Sequence, residues 1–469
     1  MRSRIVCISD VLTSQRLDVT FYNHGQFLHG FVPLSNYVSI YGGKRLPKGE
    51  TFSSEKTSYL YLRLTDIVDL DNIDYTKLPS ISETIFNTLK RYEIGEGEVS
   101  ISIAGTIGKV FITKKIPIGK RVILTENCAV IRPKVQSLLP VFLKLLLNCT
   151  FVQQQIKRNS IQTTIPKIGL DRIGKLRIPV IPPVHIQENI IDIYTKAQET
   201  KQTKDEEAKS LLDNIDSFVL KRMGITLPAK DVYSAENIVS LSQLVGNRYD
   251  PYYHNEYFEE AFKCLKETSN YRLVRLSDIS TLITSGITPK SGGDDYTDSE
   301  HGVAFIRSGN IDIMGEVDFD NLLYIKREVH DTRMKSSKVQ EGDIMIAIVG
   351  ATIGQVGIYH SSREANINQA IALVRLKDEY NPEYIKEIIK SSIGQLNLDR
   401  LKRPVARANI NLEEISSMLI PVPEIESQNE IVKSIVSIRQ QAKQLQKEGV
   451  ELLERAKQKI EKMILNEYE

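Results

Sequence analysis

The sequence predicts an α+β chain: two similar mixed α/β domains, a tandem pseudo-two-fold repeat, joined by two long antiparallel helices forming a coiled coil. Three observations carry this prediction. EGEVSISIAGTIGKVFI at 96–112 returns as EGDIMIAIVGATIGQVGI at 341–358, with ten of seventeen paired positions identical once Ala351 is set aside. Further matches follow in the same order at nearly one spacing. Two charged segments, one central and one near the end, place apolar residues in steps of three and four, the heptad spacing of a helix with one sticky seam.

The first domain is expected over 1–184. QRLDVTFYN (15–23) parallels NRYDPYYHN (247–255), and YLRLTDI (61–67) parallels FIRSGNI (305–311), pairing Arg63 with Arg307. EVSISIAG and DIMIAIVG are β-branched apolar runs ended by glycine and read as buried strands; T-I-G turns the chain into the next strand. LPVFLKLLLNCTFVQQQIKR (139–158) and PEYIKEIIKSSIGQLNLDRL (382–401) each read as one helix, with Pro382 suited to a first turn. KLRIPVIPPVHIQENI (175–190) and SMLIPVPEIESQNEI (417–431) lead into the long helices. The central helix is expected over 185–226, the second domain over 227–424 and the last helix over 425–469. The first seam runs Ile186, Ile190, Ile193, Ala197, Ala208, Leu211, Ile215, Phe218, and turns polar at Thr200 and Lys204. The second runs Ile431, Ile435, Ile438, Ala442, Leu445, Leu452, Ala456, Ile460, with Gly449 in its middle. MGITLP (223–228) stops the first helix. Packed antiparallel, two such helices of about 55 Å would form a rod with a domain at each end; the plainer alternative is that each covers its own domain. A period this long marks domain duplication rather than a solenoid.

Composition narrows the class. The 469 residues imply more than one domain. No apolar run has membrane-spanning length and the N-terminus turns polar too early for a secretion signal, so a cytoplasmic location is expected. Cys7, Cys128, Cys149 and Cys264 are scattered without C-x-x-C or zinc-ligand spacing, and read as reduced thiols. With 61 basic and 59 acidic residues, any nucleic-acid face must be local.

Catalytic signatures are missing. There is no Walker loop, no G-x-G-x-x-G, no G-x-S-x-G and no H-E-x-x-H. The base-methylating tetrapeptides N-P-P-[FY] and D-P-P-[FY] are missing too; the near miss at 250–253, D-P-Y-Y, pairs with D-V-T-F, so its proline is not part of the repeat. Histidines do not pair across the repeats, and Asp294–Asp295 has no acidic counterpart in GETFSSEK. Together these favour a binding protein over an enzyme. A methyltransferase or nuclease with an unrecognised site, and a coiled-coil adaptor, stay open on these grounds.

R-Y-D-P-Y-Y (248–253), G-I-T-P-K (286–290), F-I-R-S-G-N-I (305–311), G-D-I-M-I-A-I-V-G-A-T-I-G (342–354), N-I-N-Q-A (366–370) and I-P-V-P-x-I-x-x-Q (420–428) form an ordered series. On these the chain resembles the specificity (S) subunit of type I restriction–modification systems. The first half matches more loosely, with G-K-R-L-P-K at 43–48 and L-T-E-N-C-A at 124–129. The resemblance implies two target-recognition domains, each reading one half of a bipartite, asymmetric double-stranded DNA site. It implies that the helices set the spacer and dock two methyltransferase (M) subunits, with motor-nuclease (R) subunits joining the full complex. It implies no catalysis and no cofactor in this chain: S-adenosylmethionine, ATP and Mg2+ belong to the partners, which flip and methylate adenine at N6.

On that reading, phosphate contacts come from Lys and Arg, and base contacts from side chains at groove edges. Candidate DNA-binding residues are Lys44, Arg45 and Lys48, with Lys290 and Ser291 at the equivalent place. Arg63 and Arg307 follow at strand-like positions, where they either meet DNA or hold a carboxylate within each domain. After the domain helix come Arg158, Thr163, Thr164 and Lys167. Their counterparts are Arg400, Lys402, Arg403, Arg407 and Asn409, a run with four basic residues and no acid. KKIPIGKR (114–121) is basic only in the first half, and reads equally as a solvated loop.

Overall fold

The computed structural model describes residues 30–67, 73–160, 166–229, 239–240, 248–312, 314–403 and 408–465. QRLDVTFYN lies outside them. The chain divides into two compact units: Met1–Asp205 with Gln446–Glu469, and Glu206–Leu445.

In the first unit β1 is Val32–Pro33, β2 Val38–Gly42, β3 Tyr59–Leu62, β4 Glu93–Ile94 and β5 Val99–Ser102. They are followed by β6 Val110–Ile112, β7 Arg121–Leu124, β8 Cys128–Pro133 and β9 Arg177–Ile178. An antiparallel sheet, β2-β8-β5-β6, lies against a smaller one, β3-β7-β4, whose β3 and β7 are parallel. β5 is buried along its whole length, on both faces, although Ser100 and Ser102 alternate with Val99 and Ile101. On neighbouring β6, Val110 and Ile112 join Phe142, Leu143 and Val152 of the helices, while Phe111 faces Val122 and Leu124 of the small sheet.

The second unit repeats this plan. Its strands are β10 Leu273–Arg275, β11 Ser280–Ser285, β12 Tyr296–Thr297, β13 Gly302–Ile306, β14 Leu323–Lys326 and β15 Lys338–Val339. β16 Ile344–Ala347, β17 Val356–Ile358, β18 Ala365–Ile367, β19 Ile371–Leu376 and β20 Leu419–Pro421 complete it. The order β11-β19-β16-β17 copies β2-β8-β5-β6, and β13-β18-β15 copies β3-β7-β4, parallel pair included. β12 and β14 are an addition at the edge of the smaller sheet.

Paired polar side chains are duplicated with the strands. Arg132 pairs with Glu98, and Arg375 pairs with Asp343 at 2.7 Å. In both, the second guanidinium nitrogen reaches a backbone carbonyl, of Glu93 or Lys338. Gln187 and Gln428, the glutamines after the proline-rich segments, are fully buried. Each accepts the backbone N–H that opens a domain helix (Leu139, Asn381) and donates to a carbonyl behind it (Pro182, Pro423).

The single helices expected over 139–158 and 382–401 are in fact pairs: Pro140–Asn148 then Thr150–Asn159, and Pro382–Lys390 then Ser392–Leu401. The chain extends for one residue at Cys149 and Ser391. The break is stabilised because the second helix of each pair receives its own cap from a carboxylate distant in sequence. Phe151 N–H donates to Glu461 at 3.0 Å, and Ser392 donates its N–H to Asp216 at 2.7 Å.

The two long helices, Val184–Met223 and Ile425–Ile464, have 40 residues each, about 60 Å at 1.5 Å per residue. In the first unit Ile190 and Tyr194 share a core with Ile460 and Met463, and Lys204 meets Glu448 at 2.8 Å. In the second unit Val219 and Met223 share a core with Ile431 and Ile435, and Arg222 meets Glu430. Numbers rise on one helix as they fall on the other, so the pairing is antiparallel in each unit. The polar middle of the seam is built from lysine: the stem of Lys201 lies over Gly449, where an added Cβ would come 3.1 Å from Lys201 Cγ.

Candidate nucleic-acid interface

In each unit, four segments separated in sequence meet at the carboxyl end of the parallel strand pair. The first is the loop after β2 or β11. It starts at Gly43 or Gly286, where a Cβ would fall 2.1 Å from the Thr125 oxygen or 1.7 Å from that of Ile367. Only glycine permits this approach, and it aims the following loop outward. Lys44 N–H bonds Leu124 O, holding the first loop to the end of β7. The second segment is Arg63 or Arg307, next after β3 or β13.

The third is the three-residue link after β7 or β18, Thr125-Glu126-Asn127 or Asn368-Gln369-Ala370. Thr125 N–H reaches Leu62 O, and Asn368 N–H reaches Ile306 O. The link also accepts from the strand before T-I-G: Ile103 N–H donates to Asn127 O, and Ile348 N–H to Ala370 O. The fourth is the segment after the helix pair. Lys167 bridges Ala104, Asn409 bridges Val349, and Gly350 N–H donates to Ala408 O.

The duplicated T-I-G element joins these parts. Gly108 and Gly354 have φ of 85° and 96°, the left-handed region that glycine tolerates. The carbonyls of these two glycines accept from Gln153 and Gln395, whose amides also bond Leu147 O and Ile389 O at the helix breaks. The turn is thereby tied to the helix pair below it and holds the fourth segment by its edge.

The family model of the type I restriction modification DNA specificity domain matches residues 35–211 and again 268–462. The chain belongs to this family. The type I restriction enzyme EcoBI specificity subunit of Escherichia coli is 32% identical over 194 residues, covering 39% of this chain and 39% of that protein. A chain from a solved structure on complex assembly and conformational transition of the type I R-M system superposes with a TM-score of 0.55 at 15% identity. That match covers 94% of this chain and 98% of the other, and is a likeness of fold.

In this specificity-family chain the predicted residues divide by what holds them. Lys44, Lys48 and Lys167 are exposed and make no ion pair among the described residues; the same holds for Lys290 and Arg307. Ser291 is exposed beside Lys290, and Asn409 is exposed on its bridge. Arg45 is exposed but paired with Glu126 at 2.9 Å. Arg63 is half-buried and held by Asp66, whose hydrogen bonds push the guanidinium pKa up. Arg158 is half-buried near the end of helix Thr150–Asn159. Thr163, Thr164 and Arg407 lie outside the described residues.

The run 400–409 is not the unopposed basic strip that its linear sequence suggests. Arg400 turns inward, stacking on Tyr253 and Phe262 at 4.4 and 4.8 Å and pairing with Glu259. Lys402 pairs with Asp399, and both Nη atoms of Arg403 bond Glu414. Glu414 also receives Arg248, the buried arginine of R-Y-D-P-Y-Y, which Asp250 holds from the other side. The physical reason is that folding imports acids from outside the window. The loop 114–121 is also set apart, because it joins β6 to β7 at the end of the sheet opposite T-I-G. There Arg121 is held by Glu93 and stacked on Phe86, and Lys120 bonds Thr57 O.

The sequence reading missed Glu126, Gln369, Gln153 and Gln395. The two helix glutamines carried a signal, since they occupy equivalent places in QQQIKR and SIGQLN. Among the described residues no His/Cys/Asp/Glu group could hold a metal ion, and no helix is long and apolar enough to cross a membrane.

Proposed function

We propose that the chain is the sequence-specific DNA recognition subunit of a type I restriction–modification complex. Each unit reads one half of a bipartite site. Because the two faces differ in side chains, the half-sites differ in sequence. The single observation carrying this reading is the duplicated face, which brings four loops together at the same strand end in both units on one scaffold. Half-sites roughly 34–36 Å apart lie on one side of the duplex, and a pair of antiparallel helices suits the task of setting such a spacer.

In this reading the long helices also dock two methyltransferase subunits, and motor-nuclease subunits complete the assembly in the cytoplasm. The chain itself does no catalysis. S-adenosylmethionine supplies the methyl group for adenine N6 within the partner, and ATP and Mg2+ serve translocation and cutting there. Single-molecule sequencing of methylated bases in cells with and without the gene tests the proposal. The expected result is one two-part motif that vanishes with the gene; an unchanged methylation pattern, with the partner genes expressed, refutes it.

A further inference from the structure

The two faces differ in how they hold their equivalent arginines. Arg63 and Arg307 both follow the first strand of the parallel pair, and each opens a single 3-10 turn ending in Asp66 or Asn310. In the first unit Asp66 takes Arg63 from the side: Nε donates to Oδ2 at 2.8 Å and Nη2 to Oδ1 at 2.7 Å. The Phe52 ring lies 4.9 Å beneath the guanidinium, and Phe52 packs on Tyr61. Asp66 itself is largely covered, while 41% of the Arg63 side chain is exposed. This arrangement occupies one edge of the fork and leaves the end-on edge, an Nη1 N–H beside the outer Nη2 N–H, turned away from Asp66.

In the second unit Asn310 cannot do this. Its Oδ1 accepts the backbone N–H of Arg307 at 3.0 Å, and its Nδ2 donates to Asn321 O. Arg307 is exposed and makes no ion pair among the described residues. The link above repeats the pattern, acid against amide. Glu126 holds Arg45 at 2.9 Å, whereas Gln369 occupies the equivalent middle position of its link.

Two parallel N–H groups at fixed separation match guanine O6 and N7, the commonest specific contact in the major groove. An arginine held rigidly by a carboxylate loses little freedom on making that contact, and the carboxylate keeps it from swinging onto a phosphate. A free arginine instead follows the phosphate field. We propose that Arg63, positioned by Asp66 and Phe52, is the specificity-determining residue for a guanine in the first half-site, whereas Arg307 is a phosphate contact. This inference rests on the DNA-recognition reading above.

The structure supplies an internal control. Arg121 has the same two-point hold from Glu93 over the Phe86 ring, but at the far end of β7. If the hold alone made a reader, Arg121 would qualify; its place in the unit excludes it.

The test is selection of bound duplexes from a randomised DNA library by the full chain, followed by affinity measurement on the enriched site. Arg63→Lys keeps the charge and removes the fork. It is expected to relax one G·C position in one half-site and to weaken binding to the enriched duplex by about 5- to 100-fold. Asp66→Asn is expected to relax the same position. Arg307→Lys and Arg121→Lys should leave the selected sequence unchanged. Melting curves within 2 °C of wild type would show that the variants fold. If the wild-type chain enriches no sequence, the DNA-recognition reading fails and this inference falls with it. If it enriches a two-part site that Arg63→Lys selects unaltered, or that Arg307→Lys relaxes at guanine, the recognition reading stands and this inference is wrong.

Discussion

Gln187→Ala offers a direct measure of how the first unit is held to its long helix. The side chain is fully buried and makes three hydrogen bonds. Its Oε1 accepts from Leu139 N–H at 2.9 Å, and its Nε2 donates to Ser137 O at 2.7 Å and Pro182 O at 2.8 Å. Alanine leaves all three backbone groups without their partner. A buried polar group left unsatisfied costs about 1–3 kcal/mol. A water molecule entering the vacated space would recover part of this, so the lower end, about 3 kcal/mol, is the expected loss. At about 2–4 °C per kcal/mol for a unit of this size, the melting transition falls by about 6–12 °C. Gln428→Ala strips two groups rather than three, Asn381 N–H and Pro423 O, and should shift the second unit's transition less. Calorimetry of the full chain, resolved into two transitions, reads both effects. A shift below 2 °C for Gln187→Ala, or a larger shift for Gln428→Ala, refutes the reasoning.

Four further outcomes are expected. Burial raises the pKa of Glu387, but the two hydrogen bonds from Arg439, at 2.7 Å each, and the charges of Arg439, Lys386 and Lys390 outweigh it and hold the carboxyl below its ordinary value. Its contribution is therefore fully present above that ordinary value and is lost as pH falls through the lower, folded one. Glu387→Gln, by leaving Arg439 uncompensated, should cost about 3–5 kcal/mol at pH 7 and flatten the acid limb of a stability–pH curve. Gly286→Ala would set a methyl 1.7 Å from Ile367 O, so the loop must move; urea unfolding should show a loss of several kcal/mol. Lys290→Ala should reduce the slope of log K against log salt by about one in DNA titrations, whereas Arg400→Ala should leave the slope unchanged and lower the melting temperature. Cys128, buried and with its thiol pushed up to about 12 by burial, should stay unmodified by a thiol reagent until the chain unfolds.

The repeated architecture was legible because local rules are repeated with it. The buried strands β5 and β16 show through their β-branched residues and closing glycines, T-I-G shows as the turn that follows each, and the seam residues keep their steps of three and four. The loops after Gly43 and Gly286, and the pair Arg63 and Arg307, could be placed because the repeats align over them. Charge was the part read least well along the chain. Asp399 and Glu414 stand only 3 and 11 residues from Lys402 and Arg403, and a window confined to 400–409 left them out. Arg400, however, lies 141 residues from Glu259, a partner that no linear window contains. The helix breaks were hidden for the same reason, since the capping acids Asp216 and Glu461 come from distant helices. Glu126 and Gln369 escaped notice because L-T-E-N-C-A looked only like a weaker copy of N-I-N-Q-A, when acid against amide is the informative difference.

The capping of Phe151 by Glu461, and the place of Ile460, Met463 and Ile464 in the first unit's core, impose an order on biosynthesis. Of the two domains, the one translated earlier is completed later. Its apolar strip around Ile190 and Tyr194 stays uncovered while the entire second repeat is translated, and only the final helical turns close it. A nascent chain that stalls late therefore carries a nearly complete second domain and a first domain still lacking part of its wall, the state in which chaperones or a neighbouring copy would find it.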